Sequence, residues 1–215
     1  MIKYPKINSI YNRDEKTKKF IIGQYSCDEF AYLANNEWIG EEKIDGMNIA
    51  IWANHETKQL IIMGRNLQPT VPQTLFARIS EILSYERLAD LFQAKDETPM
   101  TAILYGEGCG CKIQKSGHIY VSGGIAQDFI LFDIKVGHTW LRRLDVVSIA
   151  AELGFRSSTE VFSGTLPEAI QAVQEGPKSV YSNDFQAEGL VLRPKITMLD
   201  RRGYRVITKV KLKDF

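Results

Sequence analysis

Lys43 stands in a segment that could carry out covalent chemistry. The segment runs from Glu41 to Asn48 as Glu-Glu-Lys-Ile-Asp-Gly-Met-Asn, with an acidic, strand-forming stretch before it and an apolar strand after it. A lysine amine attacks an electrophile only when it is unprotonated, so it needs a cationic neighbour, a metal ion or desolvation. An Asp-Gly pair such as Asp45-Gly46 is also typical of a hairpin turn, which would leave Lys43 solvated. Taken alone, the segment favours the turn, because short motifs recur by chance.

The C-terminal stretch VITKVKLKDF carries a row of lysines. Period-two alternation places Lys209, Lys211 and Lys213 on one face of a strand, with apolar residues on the other face. Their ammonium groups lie about 7 Å apart along the strand and repel one another. Such a row either protects a sheet edge from aggregation or binds anions such as phosphates. If it binds phosphates near Lys43, its charges also favour the neutral, nucleophilic form of that lysine.

Acidic and aromatic side chains supply the other candidates. Glu107 in LYGEGCG and Glu188 in AEGLVLRP lie beside glycines, where backbone can approach a ligand. Each could accept a hydrogen bond from a hydroxyl or bind Mg²⁺, although each taken singly is typical of a surface carboxylate at a turn. Asp133 falls inside the apolar run FILFDIKV, where a carboxylate is costly without a partner. Phe132 beside it is either a core residue or a platform on which a base stacks.

Composition and the remaining motifs exclude several classes of protein. The 215 residues include 27 Lys and Arg against 26 Asp and Glu, and a net charge of +1 argues against a protein that simply coats nucleic acid. Cys109 and Cys111 have no matching second pair for a zinc site, and the three histidines are scattered. The P-loop, nucleophile-elbow and dinucleotide-binding motifs are absent from the sequence.

Length and segment composition predict one domain in a reducing compartment. The chain has no internal repeat, low-complexity tract or long linker, so a single domain over residues 1–215 is expected. An odd number of cysteines, the lack of an apolar run of roughly 20 residues and the lack of a signal-peptide core predict a cytoplasmic location. The N-terminal twenty residues form a basic arm with Lys16, Lys18 and Lys19, and a solvated arm is the simplest interpretation.

The elements that must position these residues are mostly strands. β-branched and apolar runs predict strands at 47–53, 59–65, 101–107, 118–122, 129–136, 188–193 and 204–212. Helical spacing predicts helices at 74–93 and 141–153, the second ending at Gly154. A third helix is predicted from Thr165, with Glu168 at the capping-box position. Many antiparallel strands with a few helices predict an α+β fold, and the lack of βαβ alternation argues against a Rossmann domain.

Taken in order, these segments resemble the motifs of the covalent nucleotidyltransferases, the superfamily of polynucleotide ligases and mRNA capping enzymes. Each motif is short, but five in the same order over residues 43 to 211 form a specific signature. The five are Lys43-Ile44-Asp45-Gly46 for K-x-D-G, LYGEGCG with Glu107, LFD with Phe132 and Asp133, Glu188-Gly189-Leu190-Val191 for E-G-x-V, and Lys209-Val210-Lys211 for K-x-K.

Within that superfamily the chain is most similar to the type 2 RNA ligases and their phage relatives. Asn48 and Gln114, the latter in GEGCGCKIQK, favour that branch over DNA ligases. Arg65 matches the position of an arginine that lies near the nucleotide or the RNA end. The resemblance implies a nucleotidyltransferase (ATP-grasp-like ligase adenylation) domain of antiparallel sheets with flanking helices and no OB-fold. It also implies action in the cytoplasm, that of the host for a phage-encoded enzyme.

The resemblance further implies an ATP-dependent RNA ligase that works in three steps. Lys43 attacks the α-phosphorus of ATP and becomes lysyl-AMP as pyrophosphate leaves. AMP then passes to an RNA 5′-phosphate, and a 3′-hydroxyl displaces AMP to seal the strand. Mg²⁺ or Mn²⁺ and cationic side chains neutralise the developing negative charge in such reactions.

Individual roles follow from the same resemblance, residue by residue. The implied catalytic residues are Lys43, Glu188, Lys209 and Lys211, with both C-terminal lysines on the α-phosphate. The implied nucleotide-binding residues add Glu42 through its backbone, Asn48, Arg65, Glu107 at the ribose and Phe132 against the adenine. The implied metal ligands are Asp45, Glu107 and Glu188, and the implied RNA-binding residues are Arg65 and Gln114. The basic cluster from Lys16 to Lys19 is a further candidate for holding RNA.

The sequence ends at Phe215, directly after the last lysine motif. Ligases and capping enzymes of this superfamily continue into an OB-fold or a small helical domain. We therefore expect no C-terminal accessory domain, and an accessory protein that takes its place. The alternatives are a minimal DNA ligase, a guanylyltransferase that uses GTP, and a nucleic-acid end-binding module without catalysis. The intact set of motif lysines and glutamates argues against the last alternative.

Overall fold

The computed structural model describes residues 3–65, 71–93 and 100–215. In chain order the strands are β1 Asn8–Ser9, β2 Tyr11–Arg13, β3 Phe20–Tyr25, β4 Trp38–Glu42, β5 Met47–Asn54, β6 Gln59–Gly64, β7 Ala102–Gly110, β8 Gln127–Val136, β9 Thr139–Trp140, β10 Arg156–Ser157, β11 Glu160–Gly164, β12 Lys178–Ser179, β13 Ser182–Gln186, β14 Gly189–Pro194 and β15 Thr208–Lys211. The helices are α1 Asp28–Tyr32, α2 Gln73–Ile82, α3 Tyr85–Leu91, α4 Arg143–Leu153 and α5 Leu166–Gln174, with 3₁₀ helices at Gly117–Tyr120 and Leu212–Asp214. None of these helices is both long and apolar enough to cross a membrane.

The chain divides into two compact units, each built from two separated segments. The six-stranded unit comprises Met1–Pro5 and Asp45–Ser158, and the five-stranded unit comprises Lys6–Ile44 and Thr159–Phe215. The division falls inside the K-x-D-G motif. Because both units are discontinuous, no shift of composition along the chain marks them, and the single domain over 1–215 stays a prediction.

The five-stranded unit is a sheet in the order β1-β15-β14-β4-β11, antiparallel except for the β1–β15 pair. Alternation sends one face of this sheet into a core that contains Trp38, Leu190, Leu192 and Val210. Helix α5 adds buried side chains to the same core and begins with the predicted capping box at Thr165. The opposite face of β4, β14 and β15 is therefore left for polar side chains.

The six-stranded unit is a sheet in the order β10-β8-β7-β5-β6, with β9 paired to β8. Its core face includes Ile49, Ile51, Leu104 and Leu131, and helices α2, α3 and α4 supply further buried side chains to that core. Residues one position away along each strand lie on the other face, because successive side chains of a strand alternate. The observed architecture confirms the predicted α+β class with antiparallel sheets and few helices.

Two predicted elements differ from the structure. The strand predicted at 118–122 is instead the 3₁₀ helix Gly117–Tyr120. The start of this helix packs closely against the backbone of Gly110, because a Cβ on Gly117 would lie only 2.6 Å from the Gly110 oxygen. The helix predicted over 74–93 is split into α2 and α3, because the Ser84 side chain accepts a hydrogen bond from the Arg87 N–H and starts a new helix.

The last strand is also shorter than predicted. Strand β15 ends at Lys211, and the chain turns into the 3₁₀ helix Leu212–Asp214. The turn is held by Asp214, whose buried carboxylate accepts two hydrogen bonds from Arg13, at 2.6 and 2.9 Å. Lys213 therefore does not share the strand face of Lys209 and Lys211, and the predicted row of three lysines is a row of two.

Candidate active site

Lys43 directly follows β4 and is largely buried. Its N–H donates to the Gly189 carbonyl at 2.9 Å, which extends the β4–β14 pairing by one residue, and its side chain is only 19% exposed. Strands β4 and β5 belong to different sheets, so no hairpin joins them. The alternative of an Asp-Gly turn that leaves the lysine solvated is therefore wrong.

Glu188 connects Lys43 to Lys211 in a three-residue ion cluster. One carboxylate oxygen lies 2.7 Å from the Lys43 Nζ, and the other lies 2.7 Å from the Lys211 Nζ. All three side chains are less than a fifth exposed, so solvent screens the cluster weakly. Two ammonium groups share one carboxylate, and the cluster carries one excess positive charge that suits a phosphate anion.

The environment of Glu188 shifts its pKa in a definite direction. Burial raises the pKa of this carboxyl, but the charges and hydrogen bonds of Lys43 and Lys211 together outweigh burial and hold the pKa below its usual 4.5. A lowered folded-state pKa means that the cluster stabilises the fold fully above the ordinary glutamate pKa. That contribution is lost as the pH falls through the lowered value.

Gly189 brings Glu188 within reach of Lys211. A Cβ at this position would clash with the Val210 carbonyl oxygen and lie 2.7 Å from the Lys211 Cα. Strands β14 and β15 pair here, with Gly189 opposite Lys211. The glycine of E-G-x-V is thus required by the close approach of the two strands, which places the carboxylate against the lysine.

Lys209 lies two residues before Lys211 on β15, so both side chains lie on the same face of the strand. Its Cα pairs with that of Val191 on one side and that of Ser9 on the other. Lys209 is half-buried. The two predicted phosphate-binding lysines therefore lie on one face of β15, and Lys211 is the one that belongs to the ion cluster.

Glu42 precedes the nucleophile candidate, but its side chain is buried against β12 and the residue after it. Its buried carboxylate accepts hydrogen bonds from the Ser179 hydroxyl at 2.6 Å and the Val180 N–H at 2.8 Å. Burial raises the pKa of Glu42, and these two hydrogen bonds offset part of the rise. Its N–H donates to the Thr159 carbonyl, so of its backbone groups only the carbonyl stays a candidate for reading a base.

Asp45 and Gly46 of the K-x-D-G motif belong to the six-stranded unit. A Cβ on Gly46 would clash with the Gly108 carbonyl oxygen and lie 2.7 Å from the Glu107 Cγ, so this glycine also serves a close approach. The Asp45 N–H donates to the hydroxyl of Tyr120 at 3.1 Å. The ring of Tyr120 is buried in the 3₁₀ helix, which fixes the backbone of the motif at Asp45.

Tyr120→Phe is expected to destabilise the protein measurably. The change leaves the ring in place and removes the partner of the Asp45 N–H, at a cost of about 1 kcal/mol. For a chain of this size that corresponds to a fall in melting temperature of about 2–4 °C. Tyr85→Phe is the matched control, because it also removes a tyrosine hydroxyl, but from a half-buried residue that bonds to the His55 ring and not to the motif. Its melting temperature should fall less than that of Tyr120→Phe. Equal melting curves for Tyr120→Phe and the unsubstituted chain would contradict this role.

Three predicted nucleotide-binding residues share the second face of the six-stranded sheet, which carries a smaller buried cluster of Ala50, Ile103 and Tyr105. Asn48 on β5 pairs directly with Glu107 on β7, so their side chains are cross-strand neighbours. Phe132 on β8 is half-buried, and its ring meets Tyr4 edge-to-face with centroids 5.0 Å apart. The costly carboxylate of Asp133 has the partner that the sequence did not reveal, because the Tyr4 hydroxyl donates to it at 2.9 Å.

Both predicted RNA-binding residues lie in connections between elements of this unit. Arg65 is exposed in the turn after β6. Gln114 is exposed between β7 and the 3₁₀ helix, with φ of 52°, a left-handed conformation that is uncommon outside glycine. In the other unit, Lys19 donates from its Nζ to the Lys213 carbonyl at 2.9 Å, so the basic arm is attached to the C-terminal turn.

The described residues do not by themselves assemble a metal site. No three His, Cys, Asp or Glu side chains among residues 3–65, 71–93 and 100–215 are grouped so that they could hold a metal ion. Asp45, Glu107 and Glu188 nevertheless offer the hard oxygen ligands that Mg²⁺ and Mn²⁺ prefer. Mg²⁺ usually keeps several waters and binds through one or two carboxylates plus substrate phosphates. The donor chemistry therefore fits a divalent metal, and the three ligands stay a prediction.

Sequence reasoning missed Tyr4, Tyr120 and Ser179. Each supports a candidate residue through one hydrogen bond, to Asp133, to the Asp45 N–H and to Glu42 respectively. The two residues of each pair lie far apart along the chain, so no local sequence pattern indicates that they make contact. The only signal was the isolated carboxylate of Asp133, whose cost in an apolar strand required a partner.

Comparison with protein families gives one match that covers most of the chain. The family model described as RNA ligase matches residues 36–211, which includes all five motifs. No curated protein matches the chain significantly.

Solved structures of Naegleria gruberi RNA ligase are similar to the whole chain. A variant with ATP and Mn is 19% identical, with a TM-score of 0.66, and the match covers 96% of this chain and 55% of that one. The enzyme with pyrophosphate is 19% identical, with a TM-score of 0.62, over 98% of this chain and 62% of that one. A variant with AMP and Mn is 17% identical, with a TM-score of 0.60, over 95% and 57%. The chain thus spans less than two thirds of these relatives and shares their fold.

Proposed function

Since this chain belongs to the RNA ligase family, we propose that it is an ATP-dependent RNA ligase. The observation that carries the proposal is the ion cluster of Lys43, Glu188 and Lys211. A buried lysine beside a second lysine is suited to attack a phosphate and to neutralise the charge that develops. Solved variants of Naegleria gruberi RNA ligase contain ATP or AMP together with Mn, which supports the same nucleotide and a divalent metal for this chain.

In the first step the Lys43 Nζ attacks the α-phosphorus of ATP. A bond forms between nitrogen and phosphorus, the bond to the bridging oxygen breaks, and pyrophosphate leaves with its electron pair. The amine can attack only in its neutral form, so its ion pair with Glu188 must open and one proton must pass from Nζ to solvent. A second proton passes to solvent once the nitrogen–phosphorus bond has formed. Lys211, which already holds the other Glu188 oxygen, keeps a positive charge in place as the pair opens.

In the later steps the adenylyl group moves to RNA. An oxygen of the RNA 5′-phosphate attacks the phosphorus of lysyl-AMP, and the nitrogen–phosphorus bond breaks, which returns Lys43 as an amine. A 3′-hydroxyl then attacks the activated 5′-phosphate, a phosphodiester forms, and AMP leaves. Lys209 and Lys211 are proposed to neutralise the AMP phosphate in the first two steps.

The residues of the six-stranded unit are proposed to recognise the nucleotide and the RNA end. Phe132 stacks on the adenine, Glu107 accepts from the ribose, and Asn48 and Arg65 contact the phosphates. Arg65 and Gln114 are the proposed RNA contacts. In the five-stranded unit, the carbonyl of Glu42 is proposed to read the base edge.

A divalent metal is proposed to be held by Asp45, Glu107 and Glu188 together with water and phosphate oxygens. When bound, such an ion neutralises phosphate charge and polarises the phosphorus that is attacked. In this set the carboxylate of Glu188 lies between two lysines, whose charges and hydrogen bonds hold its pKa below the usual value.

The partners of the reaction are proposed to be ATP and RNA with a 5′-phosphate and a 3′-hydroxyl. An accessory protein that supplies additional RNA contacts is proposed as a further partner. A reducing cytoplasm is the proposed location, supported by the cysteines Cys27, Cys109 and Cys111, which are all free thiols.

The choice between ATP and GTP, and between RNA and DNA as the strand that is sealed, tests this proposal. The chain is incubated with α-labelled ATP or GTP and Mg²⁺, and the covalent label is counted after denaturation. We expect label from ATP and little from GTP. A nicked duplex with RNA at the nick is then compared with an all-DNA duplex, and RNA should be sealed faster. Label from GTP alone would indicate a guanylyltransferase, and preferential sealing of DNA would indicate a DNA ligase; either result overturns the proposal.

A further inference from the structure

Residues 195–205 form an ordered hairpin, the Arg–Tyr hairpin, that connects β14 to β15. The Asp200 N–H donates to the Tyr204 carbonyl at 2.7 Å, and the Val206 N–H donates to the Met198 carbonyl at 2.8 Å. The Asp200 carboxylate accepts from the backbone N–H groups of Arg202 and Tyr204, at 2.9 and 2.8 Å. These bonds offset the ordering cost before any ligand arrives, so the tip of the hairpin is preorganised.

The tip presents an aromatic ring and apolar side chains to solvent. Tyr204 is 57% exposed, and the Arg202 guanidinium lies over its ring, 5.3 Å from the centroid. Ile196 and Leu199, on the same hairpin, are 74% and 60% exposed. An exposed tyrosine beside an arginine is the combination on which unpaired RNA bases stack.

The hairpin is strongly positive in a nearly neutral chain. Its four cations against one carboxylate give 4 − 1 = +3, whereas the whole chain carries +1. Arg201 is exposed, Arg202 pairs with Asp200, and Lys195 pairs with Glu37. This excess of charge complements a polyanion. It favours RNA over an apolar protein surface as the occupant.

Strand register places the hairpin at a defined distance from the ion cluster. Gly189 pairs with Lys211 at one end of the β14–β15 pair, and Leu192 pairs with Thr208 at the other. The hairpin leaves from this second end. Lys195, the first residue of the hairpin, lies six residues beyond Gly189, a path of at most roughly 20 Å at about 3.3 Å per residue. A ligand that reacts beside Lys211 must therefore extend past the paired part of β14 and β15, which is about 10 Å long, to touch the hairpin.

We propose that the Arg–Tyr hairpin binds single-stranded RNA at a distance from the reacting end. Tyr204 stacks on a base, and Arg201 contacts a backbone phosphate. The inference rests on the proposed function for the identity of the ligand as RNA. It adds an RNA contact within the five-stranded unit that lies outside the five motifs.

RNA binding by variants of the full chain tests the hairpin. Tyr204→Ala should weaken binding of a labelled RNA of about 20 nucleotides at least about five-fold, whereas Tyr204→Phe, which keeps the ring, should bind like the unsubstituted chain. Arg201→Glu should weaken binding and reduce the slope of log affinity against log salt by about 0.7, because one phosphate is no longer neutralised. Arg142→Glu is the matched charge control, since Arg142 is exposed on the six-stranded unit.

RNA length and lysyl-AMP formation separate the possible outcomes. At about 3.4 Å per stacked nucleotide, a 5′-phosphorylated dinucleotide spans about 7 Å, which is shorter than the β14–β15 pair, so transfer of AMP to this dinucleotide should be unaffected by Tyr204→Ala. All hairpin variants should form lysyl-AMP at the normal rate. Unchanged affinity for the long RNA in Tyr204→Ala and Arg201→Glu would overturn the hairpin proposal. Failure of the unsubstituted chain to form lysyl-AMP would instead overturn the proposed function.

Discussion

Lys43→Ala is expected to abolish covalent attachment of AMP to the chain. In the proposed reaction the lysine supplies the nitrogen of the phosphoramidate, and its Nζ occupies the buried position against Glu188 that no alanine can fill. Intact mass after incubation with ATP and Mg²⁺ should show one added AMP on the unsubstituted chain and none on the variant. Peptide mapping should place the adduct on Lys43.

Lys213→Ala is the matched control for the removal of a lysine. Lys213 lies near the same sheet but in the C-terminal 3₁₀ helix, outside the ion cluster. The adduct should form on this variant as on the unsubstituted chain. An adduct that survives Lys43→Ala, or one that maps to another residue, would refute the assignment of the nucleophile.

Glu188→Gln and Lys211→Ala are each expected to slow lysyl-AMP formation by about 10²-fold or more. The first change removes the carboxylate that holds both lysines, and the second removes the cation that remains as Lys43 loses its proton. Rates should be measured at several ATP concentrations, so that weak binding and slow attack can be told apart. Circular dichroism and melting temperature then report whether the fold is kept.

Glu160→Gln separates a catalytic effect from the mere removal of an ion pair. Glu160 pairs with Arg193 at 2.6 Å in the same unit, but its side chain is about half exposed and lies outside the ion cluster. This variant should form lysyl-AMP at close to the normal rate. Comparable rates for Glu188→Gln and Glu160→Gln would mean that Glu188 has only a structural role.

The alternation of side chains along strands and the order of the motifs predicted several features of the five-stranded unit correctly. The E-G-x-V and K-x-K segments fall on adjacent strands, and period two correctly places Lys209 and Lys211 on one face. The capping box at Thr165 predicted the start of α5, because capping depends on residues three apart. These features are local, and local physics decides them.

The remaining features depend on contacts between distant segments. The Asp-Gly pair of the motif suggested a turn, yet Gly46 is needed because β7 passes too close for a Cβ. The apolar run at 118–122 suggested a strand, but tertiary packing makes it the 3₁₀ helix that carries Tyr120. Lys213 lies outside the strand, contrary to the prediction, because the contact between Arg13 and Asp214 fixes a turn there. Residue propensity and periodicity describe neighbouring residues only, so they do not predict such long-range contacts.

The separation of the clustered residues along the chain makes covalent labelling a measure of completed folding. Lys43 and Glu188 lie 145 positions apart, and Lys211 comes later still. Contacts of such long range close slowly and late. During synthesis, a ribosome-bound chain that has exposed Lys43 but not yet β14 and β15 lacks both charged neighbours. Under the proposed function, the lysine thus acquires its charged neighbours only when the five-stranded sheet closes, and partly folded chains should escape adenylylation.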